Sequence, residues 1–511
     1  MKNMRIEKKI FNVIVAVIIL AMLFLMSACD DNDVANQNTA ADENEPGGGQ
    51  NNPEQADEQN NNQRILSEAP VKDFERYEYR ILSRGESYAL WHGTDAYAEE
   101  ETGDTINDAV YKRNRTIEEK YNIIIANRPS SDILPSARKS IASGSDEYDI
   151  MMGPLRNFAD SLSQEGMLAD LKAAPHIDLS KPWYDQKANE QLTIANKLYV
   201  TISDIGKVDK DATWSYLFNK KLISDLSLEN PYQLVRDGKW TIDKMLEMSR
   251  GVARDLNGDG EMGIEDQYGY AGETYNLYLA LLSTGSEIIK KDNGDLPVYI
   301  GLDEIGLTSF TKLLAMLGDK TLTLRADDHY GSGREVWGGN GIMDAAFKEN
   351  RVLFFDTSMA RVALYRNMEA DFGIIPSPKR DEAQKEYISS VSVMSTNSLS
   401  IPVTVPDMER TGIITDALAA ESFYTLIPAY YDVQLKTKLA RDDESSEMLD
   451  IIFAGRKFDL GLLYDWAGVT SKFEEAMQKN SADIVSSLEK IQEKIVSQIE
   501  KTVEAYESFS N

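Results

Sequence analysis

The residues best suited to chemistry fall in one twelve-residue stretch, 255–266, reading Asp-Leu-Asn-Gly-Asp-Gly-Glu-Met-Gly-Ile-Glu-Asp. Its first, third, fifth and sixth positions match a calcium-binding loop. Asp255, Asn257 and Asp259 supply hard oxygens, Gly260 permits the sharp turn, and Glu261 would offer its backbone carbonyl. The last position is Asp266 where such loops usually carry Glu, so its carboxylate has a shorter reach. The spacing predicts one structural Ca2+; the competing reading is a polar turn without metal. Zinc chemistry has no support, because His92, His176 and His329 are far apart and the one cysteine lies elsewhere. No G-x-S-x-G and no P-loop occurs, so no catalytic residue is singled out. Gly331-Ser332-Gly333 and the glycines after Trp337 make a flexible loop, not a phosphate cradle, since no base follows at the required spacing. A formal net charge of -30 over 511 residues argues against nucleic acid, which needs clustered Lys and Arg.

The single cysteine is Cys29. Lys2, Arg5, Lys8 and Lys9 precede an apolar run over 10–25, which is the layout of an export signal. That run is short for a membrane-spanning helix and long enough for a signal core. Met26-Ser27-Ala28-Cys29 resembles the bacterial lipobox, with Met26 where Leu is usual. The resemblance implies that 1–28 is a signal peptide and that Cys29 is lipidated and becomes the mature N-terminus. Residues 30–70 carry ten carboxylates against one base, Arg64, among many Asn, Gln and Gly. Such a stretch buries too little apolar surface to offset its ordering entropy. It reads as a disordered acidic tether over 29–72, spanning about 35 Å as a flexible coil.

These elements precede a region that alternates strand and helix. Residues 77–83 and 148–152 read as strands, and 122–126 as a short buried one. Residues 106–121 carry Ile106, Val110, Ile117 and Tyr121 at helical spacing, and 134–143 reads as a second helix. Strands alternating with helices imply a doubly wound parallel sheet, with ligands beyond the C-terminal strand ends. Near the C-terminus, 480–506 places Ile484, Leu488, Ile491, Ile495, Ile499 and Val503 on one helical stripe, expected to pack on the second lobe.

Several motifs in order resemble the extracellular solute-binding proteins of sugar-type ABC importers, in the branch of large Gram-positive lipoproteins. They are Tyr148-Asp149-Ile150-Met151-Met152, Gly166-Met167-Leu168-Ala169-Asp170-Leu171, Lys181-Pro182-Trp183-Tyr184-Asp185, Asn230-Pro231-Tyr232, Gly238-Lys239-Trp240-Thr241 and Pro428-Ala429-Tyr430-Tyr431-Asp432. The resemblance covers about residues 73–470 and implies an α/β, two-lobed, periplasmic-binding-protein-like fold of type II. It places 73–203 and 351–402 in an N-terminal lobe and 204–350 and 403–511 in a C-terminal lobe. Crossover hinges are expected near 201–206, 350–355 and 400–405.

If the ligand is a carbohydrate, as the resemblance implies, flat aromatic rings would stack on its apolar faces. The candidates are Trp91 after the first strand, Trp183 and Tyr184 before the first crossover, Trp214 and Tyr216 after it, and Trp337 in the glycine-rich loop. Trp240 opens an amphipathic helix and reads as core. The expected protein is not an enzyme. It is a monomer held by its lipid on the extracellular face of the cytoplasmic membrane, passing an oligosaccharide to ABC permease subunits. A ligand-sensing lipoprotein and a glycoside hydrolase are the alternatives; the hydrolase would need two placed carboxylates, and no motif singles out a pair.

Overall fold

The computed structural model describes residues 64–337 and 341–509. The signal, Cys29 and almost all of the tether lie outside the described residues. The main strands are β1 (Tyr77–Arg84), β2 (Ile123–Ser130), β3 (Ile150–Pro154), β4 (Trp214–Asn219), β5 (Tyr268–Gly272), β6 (Thr323–Arg325), β7 (Val352–Ser358), β8 (Phe372–Ile375) and β9 (Asn397–Ser400). They form two separate sheets, one in each lobe. The first is four-stranded in the order β9-β3-β1-β2, with β1 parallel to β2 and β3, and β9 antiparallel at the edge. The second is five-stranded in the order β8-β4-β7-β5-β6. In it β7, β5 and β6 run parallel, while β4 is antiparallel to β7 and β8.

Three long helices explain how the first lobe is covered and tied down: α1 (Thr105–Tyr121), α2 (Met408–Tyr424) and α3 (Gln492–Ser508). Asp104 caps α1 by accepting the backbone N–H groups of Ile106 and Asn107, each at 3.0 Å. Asn122, in the left-handed region at φ 47°, ends it. Ile106, Val110, Ile117 and Tyr121 face inward, as their spacing predicts. Helix α2 lies along α1, and Ile413 joins Tyr79, Ile81, Ile117 and Ile125 in one buried cluster. Gly412 lets the segment at Pro175 close on α2, because a Cβ there would meet the Pro175 carbonyl oxygen at 1.9 Å.

Two lobe assignments need correction. Residues 351–402 divide between lobes: β7 and β8 belong to the second sheet and only β9 to the first. The apolar run that opens β7, Val352-Leu353-Phe354-Phe355, is no hinge. All four side chains are buried, and β4 and β5 pair the backbone on either side, making this a central strand. Within 403–511, α2 sits on the first lobe, because its apolar residues match α1 and the first sheet.

The chain instead passes from the first lobe through 206–213, where Val208–Asp211 forms a single helical turn. Thr201 still belongs to the first sheet, its N–H donating to Leu399 O at 3.0 Å. The return runs beside the first passage: Thr213 bridges Val391, and Ser392 N–H donates to Ala212 O at 2.9 Å. A third passage follows α2, into the π-helical stretch Ala429–Leu439. Helix α3 also differs from expectation. It packs against the strand Pro297–Tyr299 but sets the Tyr506 ring 4.9 Å from Tyr199 of the first lobe, so its apolar stripe ties both lobes.

Candidate functional site

A cavity of about 230 Å3 lies where the lobes meet, lined by Trp91, Trp214, Glu273, Trp337, Asp356 and Arg361, with Asn276, Thr357 and Ser358 completing it. Trp91 comes from the first lobe, at the end of the 3-10 turn Glu86–Trp91 that follows β1. The others come from the second lobe. Strand β7 is apolar and buried until its end, where it turns polar as Asp356-Thr357-Ser358. Pairing sets Trp214, the first residue of β4, opposite Ser358. Asn276 opens the helix Asn276–Ser283 beyond β5, and Arg361 lies in the short helix that continues β7. The cavity therefore forms at a C-terminal strand end, as expected for an α/β sheet.

Asp356 is 2% exposed. Its Oδ2 accepts from Asn276 Nδ2 at 2.7 Å and Tyr270 O–H at 3.2 Å, while its Oδ1 has no partner. Burial pushes this carboxyl up to about 7, against the donors from Asn276, Tyr270 and the nearby Tyr216 hydroxyl. Trp214 Nε1, Thr357 Oγ1, Ser358 Oγ and Arg361 Nε are likewise buried without a hydrogen-bond partner. So many orphaned polar atoms around one cavity call for a ligand that satisfies them, since each costs about 1–3 kcal/mol unpaired. Glu273 accepts from Trp337 Nε1 at 3.0 Å and from the Tyr330 hydroxyl. The Arg361 guanidinium donates to both Asp344 oxygens, at 2.7 and 2.9 Å, and lies 4.7 Å from the centre of the Trp337 ring. Trp337 is also stacked on Phe355, with centroids 5.7 Å apart. Part of its face is thus already occupied, leaving Trp91 and Trp214 as the freer rings.

Of the aromatic candidates, Trp91, Trp214 and Trp337 line this cavity. Tyr216 lies beneath it, 1% exposed and tilted against Tyr270 at 6.1 Å. Trp183 and Tyr184 do not belong to it. They are 0% and 1% exposed inside the first lobe and donate to Asp416 Oδ1, from Nε1 at 3.0 Å and from the hydroxyl at 3.1 Å. Trp240 is core, as read: its Nε1 donates to Pro376 O at 2.9 Å and its ring lies 4.9 Å from Phe354. The polar half of the cavity escaped sequence reasoning. The available signal was the abrupt change from Phe355 to Asp356-Thr357-Ser358 at the end of a buried run.

The loop 255–266 folds through turns at Gly258 and Gly260, both left-handed at φ 75° and 86°. Asp255 accepts the N–H groups of Gly260 at 2.8 Å and Gly258 at 2.6 Å, which hold its carboxyl below the usual range. Asn257 Oδ1 accepts from Asp259 N–H, and Asp259 Oδ1 from Glu261 N–H. Asp266 accepts from Leu256 N–H at 2.9 Å and Gly263 N–H at 2.7 Å. Among the described residues no three His, Cys, Asp or Glu side chains converge as a metal-ligand group. In this arrangement the oxygens organise the loop's own backbone; a cation would share them through their remaining lone pairs.

No family model matches the chain, and no curated protein matches it. Solved structures do. The chain is similar to UspC of M. tuberculosis, with 14% identity over 82% of this chain and 99% of that one, at a TM-score of 0.51. It is similar to a sugar transporter from Rhizobium etli in an open conformation, with 13% identity over 85% and 100%, also at 0.51. A cyclo/maltodextrin-binding protein complexed with maltotetraose matches at 13% identity over 86% and 100%, with a TM-score of 0.50. The chain has the fold of these proteins, two α/β lobes of the type II periplasmic-binding-protein-like class.

Proposed function

We propose that this protein is an extracellular solute-binding lipoprotein, not an enzyme, that captures a carbohydrate between its lobes and delivers it to an ABC permease. The observation that carries this reading is the cavity itself. It sits where the two lobes meet, with indole rings from both and unpaired hydrogen-bonding groups at a strand end. A ring that contributes a flat apolar face and polar atoms that seek partners suit a sugar, which offers both surfaces. The similar structures named as sugar-binding or sugar-transporting agree with it. Titration calorimetry against an oligosaccharide panel, maltotetraose included, tests the reading. Trp214→Ala is expected to weaken the best ligand about tenfold or more, worth roughly 1.4 kcal/mol or above. An unchanged affinity, or release of hydrolysis products, would count against it.

Cys29 is proposed as the lipid attachment site, and the lipid as the tie to the outer face of the membrane. Cys29→Ala should release the protein to the medium or leave it unprocessed. Processed protein retained on the membrane as before would sink the assignment.

The loop 255–266 is proposed to take one Ca2+ through Asp255, Asn257, Asp259, Asp266 and the Glu261 carbonyl. Its residue spacing and the two left-handed glycines support this. The ion would be structural, stiffening a loop next to β5. At about a hundredfold excess over Kd it would stabilise the fold by roughly 2.7 kcal/mol. Chelation should lower the melting temperature, and Asp255→Ala should abolish that response. Purified protein that carries no calcium after saturation would refute the site.

A further inference from the structure

Carbohydrate binding leaves open which sugars this cleft prefers, and the charges around it bear on that. Asp356 presents a buried, unpartnered oxygen to the cavity. Glu273 also lines it, holding the donors of Trp337 and Tyr330 but, among the described residues, forming no ion pair with a base. The one base in the lining, Arg361, is already engaged by both oxygens of the buried Asp344. Arg156, which acts on the Glu474 carboxyl, is held by Asp465 at 3.0 Å. Outside the lining, the Glu474 carboxyl is raised by burial, and then by Asp327, Asp465 and Glu273. The cavity is therefore walled by indoles and holds two carboxyls, Asp356 and Glu273, that no base in its lining pairs.

We infer that the cleft selects amino sugars, carbohydrates bearing a free ammonium group, over neutral and acidic sugars of the same size. This rests on the carbohydrate reading and narrows it. An ammonium brings three donors and no acceptor. One would meet Asp356 Oδ1, and the Ser358 and Thr357 hydroxyl oxygens offer acceptors for the others. The indole faces of Trp91 and Trp214 attract a cation through their ring quadrupoles. A neutral sugar hydroxyl could satisfy the Asp356 oxygen but does nothing for the ionised form that burial disfavours, whereas an ammonium beside it favours that form. A uronate would place a third carboxylate beside Asp356 and Glu273 and be repelled.

The test compares glucosamine, glucose and glucuronate by calorimetry on the whole protein at pH 7.5 and low ionic strength, with the tetramers of glucosamine and glucose in the same β-1,4 linkage. Glucosamine is expected to bind about tenfold or more tighter than glucose, and glucuronate more weakly than either. Asp356→Asn, with its fold checked by circular dichroism, is expected to erase most of that preference. Glucose binding as tightly as glucosamine, or a preference that survives Asp356→Asn, overturns the inference while the carbohydrate reading stands. No binding of any sugar, in this set or in the wider panel, overturns both.

Discussion

Replacing Arg456 by methionine is expected to destabilise the protein by about 3 kcal/mol or more at neutral pH. Arg456 is 8% exposed and sits in a buried ion network at the first crossover. Its guanidinium reaches Asp209 at 2.7 Å and Asp185 at 3.5 Å. Lys210 joins Asp209 at 3.2 Å and Asp204 at 2.8 Å, Lys207 pairs with Asp211, and the Tyr430 hydroxyl donates to Asp211 at 2.8 Å. Burial alone would raise the Asp209 carboxyl, but Lys210 and Arg456 outweigh it and hold the carboxyl below its usual value. Without Arg456 a buried carboxylate loses its closest ion-pair partner, and methionine fills the volume without replacing the charge. The pH dependence follows from the sign of the shift. A depressed folded-state pKa contributes stability above the unfolded value and loses it as pH falls through the folded one. The gap between the native protein and Arg456→Met should therefore be widest near neutrality and shrink below about pH 4. Urea unfolding at pH 7.5 and in acid measures it; a loss under about 1 kcal/mol at pH 7.5 would show that the network is not stabilising.

Trp183→Ala should cost a further large amount, about 3–5 kcal/mol, and do so without touching ligand affinity. The side chain is fully buried beside Tyr79, Ile205 and Ile413, so truncation loses apolar burial and leaves a cavity. It also removes the Nε1 donor from Asp416, which keeps Tyr184 at 3.1 Å and Ser67 at 2.5 Å. The contrast with Trp214 is the informative part. Trp214→Ala should weaken the ligand and change stability little, because Trp214 is only partly buried and lines the interlobe cavity. Denaturation and calorimetry on both variants separate the two roles. A Trp183→Ala protein that folds normally but binds about tenfold more weakly would return Trp183 to the binding site.

The two tryptophans show why some features were legible and others not. Both are large aromatics near a crossover in sequence, and local pattern treats them alike. What separates them is the partner each meets: Asp416 of α2 for Trp183, about two hundred residues away, and the strand end Asp356-Thr357-Ser358 for Trp214. Tyr216 illustrates the same limit from another side. Strand alternation places it near Trp214, but its ring faces the floor against Tyr270.

Local signals were enough for the elements themselves. The period of Ile106, Val110, Ile117 and Tyr121, closed by Asp104 and Asn122, defines α1, and the apolar runs define β1 to β3. These depend on neighbours within a few residues, whose spacing is written in the chain. The same holds for the α/β class, which follows from alternation of strand and helix, whereas the two lobes were implied only by the resemblance to solute-binding proteins. Lobe membership is different. Val352-Leu353-Phe354-Phe355 is equally consistent with a short passage and with a central strand, and only β4 and β5 on either side decide between them. The placement of α2 on the first lobe, the double attachment of α3, and the acidic, indole-walled cavity likewise arise from contacts between distant segments. Amino-acid order determined which segments would bury an apolar face; tertiary packing alone decided which partner buried it, because burial depends on surface matched in space and not on proximity along the chain.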